Sequence, residues 1–92
     1  MSQKRIPILR VKWEDSCSHS GWRTWREHRE GDRPAVCESV GYLVEKNSKY
    51  VLIGQNMSDH GDVNDTFSIP RKVVTSIEVI GHSTQPRAEK KR

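Results

Sequence analysis

The densest cluster of chemically versatile side chains is Asp15-Ser16-Cys17-Ser18-His19-Ser20-Gly21-Trp22-Arg23. Trp22 offers a π-face on which a base can stack, and Arg23 offers a guanidinium to a phosphate. Ser18, His19 and Ser20 add groups that reach polar edges. Together they suit a nucleic acid, RNA or DNA, or a nucleotide-like ligand. The aromatics also have a purely structural reading, in which Trp13, Trp22 and Trp25 are lids on the ends of a thin core. Trp13 falls within a strand pattern and reads as core, whereas Trp22 fits either role.

Three other chemistries are weaker. Cys17, His19, His28 and Cys37 could supply a two-cysteine, two-histidine zinc set, since zinc takes four such ligands in a tetrahedron. Their spacing, C-x-H-x8-H-x8-C, matches no zinc finger or ribbon. Asp59, Asp62 and Asp65 recur every third residue around Gly61, but a calcium loop of the EF-hand type needs acids two apart and a distant Glu. Asp15, Cys17 and His19 are adjacent in sequence, and a nucleophile, its base and its orienting group are normally gathered from separate segments. No Gly-rich phosphate loop and no G-x-S-x-G stands in the chain. A non-enzymatic protein without metal or cofactor is therefore expected.

The elements that must hold the cluster are strands. Ile6–Trp13 alternates, with Leu9, Val11 and Trp13 on one face and Ile6, Ile8, Arg10 and Lys12 on the other. Pro7 belongs at an edge or a strand start. Residues 35–46 read as a long strand in which Gly41 marks a bend or a close backbone approach. Asn47-Ser48 turns the chain into an apolar strand over 49–55. A polar loop over 56–65, a short strand over 66–69, a break at Pro70-Arg71 and a last strand over 72–80 follow. Between the first two strands lies an insertion, 14–34, whose stretch Trp22–Glu30 reads either as a short helix or as an extended loop. From Gly81 the chain loses periodicity and is predicted to be disordered.

The 92 residues carry 16 basic and 12 acidic side chains, a net charge of +4, and are 33% apolar and 30% charged. A chain of this length buries only about 60% of the surface it exposes unfolded. That excludes a Rossmann domain, an α/β barrel or a multi-domain enzyme. Residues 13–82 hold eight basic and eleven acidic groups, a net of −3, so the basic character lies at the ends. Lys4, Arg5, Arg10 and Lys12 stand at one end and Arg87, Lys90, Lys91 and Arg92 at the other. Such ends serve as nucleic-acid arms or as solubilising tails. No run approaches the roughly 18 apolar residues of a membrane helix. The short apolar stretch after Arg5 is too brief for a secretory signal, which predicts a cytoplasmic protein with reduced cysteines.

Ser39-Val-Gly-Tyr-Leu-Val, Tyr50-Val-Leu-Ile and Phe67-Ser-Ile-Pro-Arg-Lys-Val-Val-Thr-Ser-Ile-Glu-Val-Ile resemble the strand rhythm of Sm-like barrels, a rhythm that SH3-like barrels share. The resemblance covers about half of the chain. It implies a closed five-stranded barrel and assembly into rings through open edge strands, for which 49–53 and 73–80 are the natural edges. It also places Arg71 and Lys72 where such proteins contact ligand. A wider pattern is similar to a group of small tailed-phage and prophage proteins. Trp13, Asp15, Ser18, Gly21, Trp22, Pro34, Cys37, Ser39, Val40, Gly41, Leu43, Ile69 and Pro70 carry it. The Arg/Glu-rich stretch 23–33 and the basic tail depart from it. This likeness implies a phage-type source, hence a host cytoplasm, and no particular chemistry.

The sequence thus predicts an all-β chain, a small Sm-like or SH3-like barrel over 1–82 followed by a flexible basic tail over 83–92. The expected function is a homo-oligomeric module binding RNA, DNA or a nucleotide-like ligand through Ser18, His19, Ser20, Trp22, Arg23, Arg71 and Lys72. The alternative is a protein-interaction module, a host-factor inhibitor or structural adaptor, to which the acidic body and exposed aromatics are suited equally well.

Overall fold

The computed structural model describes residues 5–86. Five strands follow in order: β1 (Arg5–Asp15), β2 (Ala35–Lys46), β3 (Tyr50–Met57), β4 (Val63–Pro70) and β5 (Val74–Pro86). A helix, α1 (Trp25–Gly31), lies between β1 and β2, and a 3-10 turn, Arg71–Val73, separates β4 from β5. All ladders are antiparallel, in the order β4-β3-β2-β1-β5.

The all-β class and the number of strands are as the sequence predicts. Closure is not. β4 and β5 are the sheet's two edges, and no ladder joins them among the described residues, so the sheet is open. β5 spends its length on β1, from Trp13↔Val74 to Arg5↔Pro86, while the shorter β4 follows β3. Residues 49–53, nominated as an edge, belong largely to β3, which is interior between β2 and β4.

The last strand is also longer than its periodicity indicates. Residues 83–86, assigned by sequence to the flexible tail, are part of β5, and Ser83 is buried. Its hydroxyl accepts a 3.0 Å bond from the Ile6 amide. Residues 87–92 lie outside the described residues. The polar loop before β4 is correspondingly short, because Met57↔Val63 pairing carries the hairpin almost to its tip. There the Ser58 amide donates to the Asp62 carbonyl and the Ser58 hydroxyl accepts from the His60 and Asp62 amides.

The core is small and lies on the inner face of a curled sheet. Leu9 and Val11 from β1, Val51 and Ile53 from β3, and Ile69 from β4 are its buried members. Alternation sets the β1 pair, as the sequence indicates. β1 and β3 are not neighbours in the sheet, so β2 must bend to bring their faces together. Its inner positions are small or half-buried: Cys37, Ser39, Gly41 and Leu43. A Cβ on Gly41 would lie 2.8 Å from the Gly54 carbonyl oxygen and 3.1 Å from the Ile53 Cβ. Glycine alone fits that approach. A register shift between Leu43 and Glu45 adds further twist.

Trp13 closes one side of this core. Its indole N–H donates to Ser39 Oγ at 3.0 Å, and its ring tilts against Phe67 with centroids 5.5 Å apart. The corner after β4 is clamped to the β2–β3 turn. The Arg71 amide donates to the Lys49 carbonyl at 2.9 Å, and its guanidinium to the Asn47 carbonyl at 3.0 Å.

Gly41→Ala is expected to overpack the bend and cost about 1–3 kcal/mol, read as a lower midpoint in urea denaturation. An unchanged midpoint would show that β2 can move away from β3 at no cost.

Candidate ligand-binding site

Beyond the last β1–β2 pair, Asp15↔Ala35, the chain makes an arm of residues 16–34. None of its residues is buried, and the His28 and Asp32 side chains are only half-buried. A seven-residue helix without a buried face has little intrinsic stability. Its ends hold it instead. Thr24 is the N-cap of a capping box: its hydroxyl accepts from the Glu27 amide at 3.1 Å, and its amide donates to Glu27 Oε1 at 2.9 Å. Arg26 pairs with Glu30 one turn on, at 2.9 Å. At the C-terminus the Asp32 amide donates to the His28 carbonyl at 2.9 Å, and the Asp32 carboxylate is bound to His28 Nδ1.

These caps place the aromatics. The helix begins at Trp25 rather than at Trp22, so Trp22 and Arg23 precede it and Trp25 and His28 share one helical face. Gly21, in the left-handed region at φ 113°, turns the chain into Trp22. Gly21, Trp22, Arg23, Trp25 and His28 line one open cleft. Trp22 is 103% exposed and Trp25 83%. Neither is a lid, whereas Trp13 packs against the core.

Asp32 organises the polar side of the cleft. One carboxylate oxygen bonds His28 and the other lies 3.7 Å from Arg23 Nη1. His19 meets His28 edge to face, with centroids 5.8 Å apart. The His28 hydrogen bond, then the charges of His28, His19 and Arg23, hold the Asp32 carboxyl below its ordinary value of 3.8 against a smaller desolvation effect. Glu27 is held below 4.5, first by the Thr24 amide and then by the Thr24 hydroxyl.

Of the residues nominated from sequence, Trp22 and Arg23 line the cleft and His19 abuts His28. Ser18 and Ser20 are exposed on the approach to Gly21 and are not among the lining residues. Arg71 and Lys72 stand apart on the 3-10 turn, where Arg71 is engaged by the β2–β3 turn and Lys72 is exposed. Trp25, His28 and Asp32 complete the site without having been nominated as ligand-binding. The capping pattern Thr24-x-x-Glu27 was the signal that could have found them, because it fixes the helix start.

The zinc set is not assembled. His19 and His28 meet, but the Cys17 thiol donates to the Arg33 carbonyl and the Cys37 thiol faces the Ala35 carbonyl. Among the described residues no three His, Cys, Asp or Glu side chains are placed to hold a metal. No helix among them is long and apolar enough to cross a membrane. Comparison with family models, with curated proteins and with solved structures finds no match for this chain.

Both depressed carboxyls stabilise the folded arm above their ordinary values and lose that contribution as pH falls through their lowered folded values. Acidification below 4.5 for Glu27 and 3.8 for Asp32 is therefore expected to fray the arm before the core. Amide signals of residues 24–32 should broaden or shift to random-coil positions while those of Val11 and Ile53 persist. Loss of both sets together would contradict an independently held arm. Thr24→Ala is expected to cost about 1 kcal/mol of local helix stability, seen as faster hydrogen exchange confined to α1.

Proposed function

We propose that this chain is a non-enzymatic binding module whose arm takes a nucleic acid or nucleotide-like ligand, in the cytoplasm of a host if the gene is a phage's. The observation that carries this reading is the pairing of Trp22 and Trp25 with Arg23 and His28 around one cleft, on an arm with no fully buried residue. Two indoles exposed to water contribute little to this fold, so their value lies in what they touch. Stacking on an aromatic side chain supplies about 1–3 kcal/mol per base. A guanidinium and an imidazole beside the rings supply the anion contact that a phosphate requires.

A homo-oligomer belongs to the same reading. β4 and β5 leave unpaired edges, and Phe67, Val79 and Ile80 on them are more than 40% exposed. Pairing of β4 from one copy with β5 from the next would cover both edges and set several arms side by side. The exposed indoles also favour a second reading, a protein-interaction module whose partner inserts into the same cleft.

A labelled single-stranded oligonucleotide titrated with wild type and with Trp22→Ala/Trp25→Ala tests the choice. The double variant is expected to bind at least tenfold more weakly with its melting temperature unchanged. Equal binding would place the site elsewhere. Native mass spectrometry of the same samples tests assembly: a defined oligomer is expected, and a bare monomer would remove that part of the reading.

A further inference from the structure

The chemistry of the Asp32–His28 pair assigns a second role to the cleft's imidazole. A carboxylate held in its ionised form can only accept hydrogen bonds, so the nitrogen facing Asp32, His28 Nδ1, must carry a proton. The proton that the ring gains on acidification therefore goes to Nε2. No hydrogen bond is made to Nε2 among the described residues, and the His28 ring lines the cleft beside Arg23. Before protonation, Nε2 presents a lone pair to a ligand. After it, Nε2 presents an N–H and the ring a positive charge.

We infer, resting on the reading of the arm as a ligand site, that His28 is its proton-coupled anion contact: the ligand's fixed negative charge sits between Arg23 and His28 Nε2, and affinity rises on acidification. The groups around His28 set the sense of the effect. Asp32 fixes the tautomer and balances the ring's charge, and Glu27 on the same helix adds a second carboxylate. Arg23, 3.7 Å from Asp32, is the loosest member of the set and is free to turn to a ligand once His28 satisfies that carboxylate. His19 stands edge-on to His28, with ring centroids 5.8 Å apart. The groups named around His28 all belong to the arm.

A probe with a constant charge is needed, because a terminal phosphate itself titrates near pH 6. A dinucleoside monophosphate, whose phosphodiester keeps one negative charge, is compared with the uncharged nucleoside. Indole fluorescence follows binding between pH 8 and 5.5, a range chosen to lie above the acidic fraying of the arm. The expected result is roughly tenfold tighter binding of the dinucleotide at the lower pH, with no pH dependence for the nucleoside. His28→Asn should abolish the dependence and leave the weaker affinity. His28→Lys should hold the tighter affinity at both ends of the range, and His19→Asn should retain the dependence. Dinucleotide binding that is unaffected by pH, or whose pH dependence survives in His28→Asn, would overturn the inference and leave the site reading intact. Binding of neither probe at any pH would overturn both.

Discussion

A Cβ at position 41 would stand 2.8 Å from the Gly54 carbonyl oxygen, so the bend that folds β2 across β3 is open only to a glycine. Everything else in the sheet follows from that bend. It brings Leu9 and Val11 of β1 over Val51 and Ile53 of β3, two strands away, and lets Ile69 complete the cluster. Five aliphatic side chains are a thin core for a 92-residue chain. It suffices because β1, between β2 and β5, is paired along both sides and because Trp13 reaches from β1 to Ser39 and Phe67. The same economy leaves β4 and β5 unjoined, with apolar side chains exposed on both.

The arm obeys different physics. Its helix buries no residue and is held by local bonds: the Thr24–Glu27 box, the Arg26–Glu30 pair and the Asp32 cap. Each is modest and at least partly exposed to solvent, and both carboxyls held below their ordinary values, Glu27 and Asp32, belong to the arm. On the proposed reading, that division separates stability from function. The aliphatic core, Gly41 and Trp13 hold the fold, and all belong to the sheet. Residues with chemistry to offer, Trp22, Arg23, Trp25 and His28, sit where their replacement leaves the sheet untouched.

Much of the sheet was legible because alternation is a strong signal. Leu9, Val11 and Trp13 declare the inner face of β1, and Gly41 within a β pattern declares a close approach. β2 shows the limit of reading by residue type. In the first half of β2, Val36 and Val40 are apolar, yet they are 74% and 42% exposed, and the inner positions there are Cys37, Ser39 and Gly41. The bend demands small residues, and this requirement overrides hydrophobicity. The end of β5 was illegible for another reason. Gly81-His82-Ser83-Thr84 has no apolar period, and its order comes from backbone pairing with β1 and from the Ser83–Ile6 bond, which no local pattern announces. In the arm, Trp22 and Arg23 were found by type, while Trp25 and His28 needed the helix to start at its cap. Open or closed edges depend on how far the sheet curls, a property of the whole sheet.

The central claim is that the arm, and not the sheet, meets the ligand. The three indole N–H resonances of Trp13, Trp22 and Trp25 report on the two regions separately in one nitrogen–proton spectrum. Titration with a short single-stranded oligonucleotide should shift Trp22 and Trp25 together and leave Trp13, bonded to Ser39, in place. A shift of Trp13 with the other two unmoved would put the ligand on the sheet and contradict the account.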